Sequence, residues 1–345
     1  MSIFGVLTGG GDCPGLNAAI RAIVRGLDAR GHDVVGIREG WHGLTEPNVL
    51  PLTRRTVAGI LPRGGTILGT SGHDPFREPG GVDAVLANRA ALRLDGVVAI
   101  GGEGTLGSAH RLYTEHGFPV VGVPKTIDND LAGTDVTIGF DTAVHVCTEA
   151  IDRLHTTAES HNRVMVVEVM GRNTGWIAVA SGLAGGADVI LVPEHPVPIE
   201  DVCDHVLERH AQGRDFSIVV VAEGYPLTRR SGDRQDPVVR AKDAYGYDLL
   251  GGIGRVVADE ITQLTGYETR VTVLGHVQRG GTPTAADRFL ATRLGLKAAE
   301  LADSGSWGRM AAVNGIEIDD VPLELAIRRR RTVPPEWIGA TLVVA

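Results

Sequence analysis

"IFGVLTGGGDCPGLNAAIRAIVRGLDARGHDVVGIREG", Ile3 to Gly40, decides the fold class. A short apolar run ends in three glycines, Gly9, Gly10 and Gly11. "GLNAAIRAIVRGLDARG" then sets Leu16, Ile20, Ile23, Val24 and Leu27 at helical spacing. "HDVVGIREG" is apolar again. Strand, glycine turn, helix, strand is the opening of a parallel, doubly wound sheet. "LDGVVAIGGEGTLGSAHRLYTEHG" repeats the unit, and "FPVVGVPKTIDND" adds a strand ending in polar residues. "RVMVVEVMGRNTGWIAVASGLAGG", "ADVILVPE" and "FSIVVVAEGY" continue the rhythm. Strands of nearly unbroken Val and Ile are those buried on both faces, as in parallel sheets. In such α/β sheets ligands bind beyond the carboxyl ends of the strands, so these strand ends are expected to face one cleft.

The bulk numbers agree. A chain of 345 residues is long enough for two domains or one two-lobed unit. Only 4% of residues are aromatic while 47 are glycine, which favours an α/β protein over an aromatic-packed β-sandwich. The net charge of −9 argues against non-specific nucleic-acid binding. No apolar run reaches the roughly 18 residues a bilayer span needs, and the start has no signal-peptide pattern. Cys13, Cys147 and Cys203 have no metal spacing, so reduced thiols in a cytoplasmic enzyme are expected. Cys13, in the glycine loop, is either a reactive thiol or a small packing residue.

Four stretches carry chemistry. Backbone N–H groups at Gly9, Gly10 and Gly11 can meet phosphate oxygens where a side chain would block them, although tight turns also use glycine for packing. "GGEGT", Gly101 to Thr105, is a second such turn with a carboxylate inside. Glu103 beside a phosphate calls for a cation between them, and Mg²⁺ held by one carboxylate fits; a solvated loop glutamate is the alternative. Third is "PKTIDND", Pro124 to Asp130. Phosphoryl transfer to an alcohol needs charge neutralisation, in-line positioning and a proton acceptor. Asp128 suits the last task, Thr126 can donate to the moving group, Lys125 can offset its charge, and Asp130 can orient Asp128 or help the metal. A turn capped by aspartates is the alternative. Fourth are Arg163 and Arg172, flanking one strand, and Arg270 and Arg279, flanking another beside His276. Arginine forks bind phosphate bidentately. Glu223 suits sugar hydroxyls. The polar stretch from Tyr225 to Leu250 reads as a surface excursion, partly a mobile loop. Arg328 to Arg331 read as a solvated run or as an effector or subunit contact.

"GGGDCPGLNAAIR", "RGGTILGTS", "GGEGT", "PKTIDND", "GTDVTIGFDTA", "AIDRL", "VEVMGRNTGWIA", "VPE" and "ETRVTVLGHVQRGG" together resemble the 6-phosphofructokinases, in that family's order, over roughly residues 3 to 300. The resemblance implies two similar Rossmann-like lobes with the active site in the cleft between them. It gives residues 1–139 plus about 277–303 to the donor lobe, 140–276 plus about 304–330 to the fructose 6-phosphate lobe, and 331–345 to a C-terminal tail. It implies that Asp128 is the base on the sugar 1-hydroxyl and that Thr126, Arg172 and the Gly11 N–H stabilise the moving phosphoryl. The nucleotide then falls to Gly10, Gly11, Arg77, Gly102, Glu103, Gly104 and Thr105, with Mg²⁺ on Glu103. Thr126, Asp128 and Asp130 also belong to the substrate set. Met170, Gly171, Arg172 and Glu223 hold the sugar, and Arg163, Arg270, His276 and Arg279 its 6-phosphate. Arg163 and Arg270 would reach from a neighbouring subunit, which implies a homo-oligomer, dimer or tetramer.

Donor identity turns on two residues. ATP-using members have Gly after the acidic residue of the second turn. Pyrophosphate-using members have Asp there, and Lys in "PKTIDND". Gly104 stands here with Lys125, as in the mixed-substrate actinobacterial-type group. Gly104 leaves room for the nucleotide's α-phosphate, so ATP is the expected donor, with pyrophosphate the alternative and an inactive sugar-phosphate-binding regulatory protein a remote one. Gly72 stands where bacterial ATP-using members carry Arg. Arg21, Arg25 and Arg54 match the effector-site arginines, whereas His155 and Gln212 depart from them.

Overall fold

The computed structural model describes residues 1–242 and 248–337. In chain order the first elements are β1 (Ile3–Thr8), α1 (Leu16–Asp28), β2 (Asp33–Ile37), α2 (His42–Thr45) and β3 (Val49–Leu52). α3 (Gly81–Ala91), β4 (Gly96–Gly101), α4 (Glu103–His116), β5 (Val120–Pro124) and α5 (Phe140–His161) follow. Then come β6 (Val164–Val169), α6 (Trp176–Ala184), β7 (Val189–Leu191), α7 (Ile199–Ala211) and β8 (Ser217–Ala222). The excursion holds β9 (Leu227–Thr228), β10 (Arg234–Gln235), β11 (Val239–Lys242) and β12 (Asp248–Leu250). The chain continues with α8 (Ile253–Thr265), β13 (Thr269–Val273), α9 (Ala285–Asp303), β14 (Arg309–Asn314), β15 (Glu317–Pro322) and α10 (Leu323–Arg328).

The chain divides into two compact units: Met1–Thr142 with Arg279–Arg330, and Ala143–Gln278 with Arg331–Ala345. The first contains a seven-stranded sheet in the order β15-β14-β5-β4-β1-β2-β3. Its central strands are parallel, and the outer pairs β2–β3 and β14–β15 are antiparallel. The second contains the parallel sheet β13-β6-β8-β7. The α/β class and mainly parallel sheets are those read from the sequence. The expectation that residues 304–330 join the sugar lobe does not match: β14 and β15 extend the first sheet, with β14 parallel to β5. The excursion forms two short antiparallel ribbons, and its residues 243–247 lie outside the described residues, as do 338–345 of the tail.

Burial explains the patterns. Leu16, Ile20, Ile23, Val24 and Leu27 of α1 are all fully buried. This face packs on α9 through small residues: a Cβ on Gly26 would lie 2.8 Å from the Ala299 Cβ, and one on Gly295 would lie 2.8 Å from the Ala19 carbonyl oxygen. Val97, Val98, Ile100, Val121 and Val123 fill the middle of the first sheet, and Val164, Val166, Val219 and Val221 that of the second. Each such side chain contributes about 1.5–3 kcal/mol by burial, so a charge placed at Val98 would break the sheet at its centre. Among the described residues no helix is long and apolar enough to cross a membrane.

Candidate active site

In the first unit, parallel pairing brings the carboxyl ends of β1, β4 and β5 side by side. The strand order reverses at β1, where β4 lies on one side and β2 on the other, and such a switch point opens a crevice for ligands. The loops after these three strands are the glycine triplet, "GGEGT" and "KTIDND".

Backbone hydrogen bonds hold the glycine triplet in place. Gly9 N–H donates to the Ile100 carbonyl at 3.0 Å and Gly10 N–H to the Ser71 carbonyl at 2.8 Å. Of the three, the Gly11 N–H makes no such backbone bond among the described residues. Gly10 has φ +76°, a left-handed conformation that glycine adopts at no steric cost. Gly9 and Gly101 are glycines because Thr105 fills the space between their turns: a Cβ on either would meet Thr105 at 2.5 and 2.4 Å. Thr105 is itself buried, so it shapes both loops from below.

Lys125 does the same from the third loop. It is 3% exposed, and its Nζ donates to the Gly9 carbonyl at 2.9 Å and the Gly11 carbonyl at 2.5 Å. Burial lowers its pKa to about 8. The sequence assigned Lys125 to the moving phosphoryl; here its ammonium staples the glycine loop. Cys13 is a packing residue, since burial pushes its thiol up to about 12. Arg279 lies against the same loop: Nη1 donates to the Asp12 carbonyl at 3.3 Å, and a Cβ on Gly11 would strike that Nη1 at 2.6 Å.

The loop carrying Asp128 is folded by short-range polar bonds. Asp128 N–H donates to Thr126 Oγ1 at 3.1 Å, and Thr137 Oγ1 donates to the Thr126 carbonyl at 2.6 Å. Asn129 takes a left-handed φ of 51° and accepts the Thr137 N–H at 3.0 Å. The turn read as the alternative to catalysis is therefore present, and it presents Asp128, which is partly exposed. Burial, and next the charge of Asp128, raises the Asp130 carboxyl to about 6, with a smaller push from Glu103.

Glu103 is the first residue of α4, and its carboxylate is 46% exposed. Asp130 thus feels the negative charge of both Asp128 and Glu103. A divalent cation relieves that repulsion, and hard carboxylate oxygens are its natural ligands. No group of three or more His, Cys, Asp or Glu among the described residues is placed to hold a metal unaided. An exposed lone carboxylate such as Glu103 is the kind of donor Mg²⁺ accepts together with waters and phosphate oxygens. Gly104 is exposed in the first turn of α4, beside the Gly102 cap. Arg77 ends a 3₁₀ turn, 3.5 Å from Asp74.

In the second unit the predicted residues fall into two groups. At the carboxyl ends of β6 and β8, Met170 N–H donates to the buried Gln278 at 3.1 Å, and Glu223 N–H to the Val169 carbonyl at 2.9 Å. Gly171 has φ +136°, and a Cβ there would lie 2.6 Å from the Thr174 carbonyl oxygen. Arg172 Nη2 donates to the Asp248 carbonyl at 2.6 Å. His276 sits in the 3₁₀ turn after β13. Glu194 of "VPE" accepts the Gly175 N–H with both oxygens and so pins the "GRNTGW" loop. Arg163 and Arg270 stand at the other end. The parallel register sets Thr269 beside Val164, so Glu268 reaches both arginines, pairing with Arg163 at 3.0 Å and with Arg270. At about 3.3 Å per residue, β6 separates Arg163 from Met170 by roughly 23 Å.

Two residues lay beyond sequence reasoning. Glu168, 2% exposed, accepts the Gly252 and Gly254 N–H groups at the start of α8, and nothing in "VMVVEV" marks it as a cap. Arg330 pairs with Glu103, with Nε 3.1 Å and Nη2 3.0 Å from Oε2. Arg330 is thus exposed but paired, while the Arg331 guanidinium lies 4.2 Å from the Trp176 ring centroid. Of the effector-site candidates, Arg54 pairs with Asp28, and His155 Nε2 is 2.6 Å from the Gly185 carbonyl oxygen.

The chain resembles known proteins in sequence and fold. The chain is 55% identical to a pyrophosphate--fructose 6-phosphate 1-phosphotransferase of Streptomyces coelicolor, covering 96% of each. It is 52% identical to ATP-dependent 6-phosphofructokinase 3 of the same organism, again over 96% of each. Phosphofructokinase from Saccharomyces cerevisiae matches with a TM-score of 0.80 and 33% identity, over 95% of this chain and 45% of that longer one. With residues 3–302 matching the profile described as Phosphofructokinase, the chain belongs to the phosphofructokinase family.

Proposed function

We propose that the chain transfers the γ-phosphoryl of ATP to the 1-hydroxyl of D-fructose 6-phosphate, giving fructose 1,6-bisphosphate and ADP. The Asp128 carboxylate accepts the hydroxyl proton, the hydroxyl oxygen bonds to phosphorus, and the bond to the ADP oxygen breaks. Thr126 and the Gly11 N–H donate to the moving group, and Lys125 holds Gly11 in place from behind. Mg²⁺, when bound at Glu103, supplies charge neutralisation for the donor's phosphates. Met170, Gly171 and Glu223 take the sugar, and His276 its 6-phosphate. Arg279, lying along the glycine loop, is placed for phosphate as well.

The observation that carries ATP as the donor is Gly104, exposed and without a side chain in the first turn of α4. An aspartate there would set a charge against the α-phosphate; like charges roughly 4 Å apart cost about 4 kcal/mol at an effective dielectric of 20. Pyrophosphate is the second reading, favoured by Lys125 and by relatives at 55% identity that carry that name. Formation of fructose 1,6-bisphosphate, followed with MgATP and separately with magnesium pyrophosphate, decides between them. ATP is expected to support turnover and pyrophosphate to do so far less well; the reverse preference would overturn the donor assignment.

The length of β6 supports subunit sharing. Along the strands Arg163 lies roughly 23 Å and Arg270, in register with Met165, roughly 17 Å from Met170, which favours their holding the phosphate of a different sugar. Each therefore serves a neighbouring subunit's site, and the active form is a homo-oligomer of at least two chains.

A further inference from the structure

Arg330 has no task in the reaction as derived so far. Its main chain forms an isolated antiparallel bridge with Leu131, the residue after Asp130, and Leu131 is 1% exposed. A core residue thus anchors the backbone of Arg330 against the catalytic loop. The side chain reaches Glu103 at the start of α4 with two nitrogens on a single carboxylate oxygen. Both partners are 46% exposed, and ion pairs so open to water contribute ~0–1 kcal/mol to stability. The pair is a poor structural brace held by a firm anchor. An arginine fork has five N–H donors, and this contact occupies two. The amino end of α4 adds positive potential at the same place.

We infer that Arg330 is a binding residue for the phosphoryl donor, parked on Glu103 while no donor is present. When the metal–donor complex arrives, Glu103 turns to the cation and Arg330 transfers its N–H groups to the donor's phosphate oxygens. This inference rests on the reading of Glu103 as the metal-side carboxylate. Arg330 also reports on the donor whether that is a nucleotide or pyrophosphate, because both offer the same phosphate oxygens.

Calorimetric titration without sugar phosphate tests it, using MgATP in one series and magnesium pyrophosphate in another. Wild type, Arg330→Ala and Arg330→Lys are compared, with matching thermal unfolding showing that each is folded. For the donor that wild type binds, Arg330→Ala is expected to weaken affinity ~10-fold or more, and Arg330→Lys to recover part, since a point charge replaces a fork. Fructose 6-phosphate affinity stays unchanged. Unchanged donor affinity would overturn the inference. So would tighter binding, which would make Arg330 a competitor of the metal. Mn²⁺ affinity of Glu103→Gln, read by electron paramagnetic resonance, separates the two readings: an unchanged value removes Glu103 as the metal carboxylate, while the Arg330 titrations still stand or fall by themselves.

Discussion

Lys125 and Arg270 are both cations that the sequence offers to phosphate, and the two units treat them differently. Lys125 is buried beneath the first unit's glycine loop, with its ammonium on two backbone carbonyls. Arg270 stands exposed at the amino end of β13, leaning on Glu268. One cation shapes a binding loop from inside. The other is a charge held out at the far end of its own sheet from Met170 and Glu223. On the proposed reading, the donor loops are preorganised within one chain, whereas the 6-phosphate arginines serve another chain. Burial, more than residue type, separates the two roles.

The largest effect lies outside that contrast and calibrates it. Asp128→Asn keeps the size of the base and removes its proton affinity, so kcat is expected to fall ~10²–10⁴-fold with little change in sugar-phosphate affinity. Near-normal kcat at saturating substrates would remove Asp128 from the chemistry. The residues assigned to the 6-phosphate come next. Arg163→Ala and His276→Ala should each raise the KM for fructose 6-phosphate ~10–100-fold, since each removes a hydrogen bond to an ionised phosphate. Mixing the two variants should rebuild some complete sites and restore part of the activity. Mixed oligomers that form without any recovery would place both residues in one subunit's site.

A smaller effect probes the carboxylates. Asp130 has its folded pKa raised from 3.8 to about 6, mainly by burial. Between those values the folded chain holds a proton that the unfolded chain has released, so stability falls as pH rises through the window. Above about pH 6 the full cost is present. Asp130→Asn should therefore stabilise the protein by ~1–3 kcal/mol at pH 8 and by progressively less toward pH 4, measured by urea unfolding across that range. A pH-independent gain would show that Asp130 is not a strained carboxylate.

Much of this was legible in the sequence. The strand–glycine–helix rhythm located β1, β4, β5, β6 and β8, and the strand ends delivered the glycine triplet, "GGEGT", "KTIDND" and "MGR" to the ends of parallel strands. Three things were not legible. Which sheet a late strand joins leaves no local mark, so β14 and β15 were assigned to the wrong lobe. A lysine that staples a loop reads the same as one that meets phosphate until its burial is known. Arg330 and Glu103 are 227 positions apart, and only the fold brings them together.

The division of labour between buried and exposed cations is tested most directly by one set of steady-state measurements. Lys125→Met and Arg270→Ala are compared with wild type for the KM of the donor and the KM of fructose 6-phosphate. Loss of Lys125 leaves the Gly9 and Gly11 carbonyls unpaired and frees the glycine loop, so the donor KM should rise ~10-fold or more while the sugar KM stays within about 2-fold. Arg270→Ala should do the reverse. If Lys125→Met raises only the sugar KM, or Arg270→Ala only the donor KM, the assignment of the two cations is wrong.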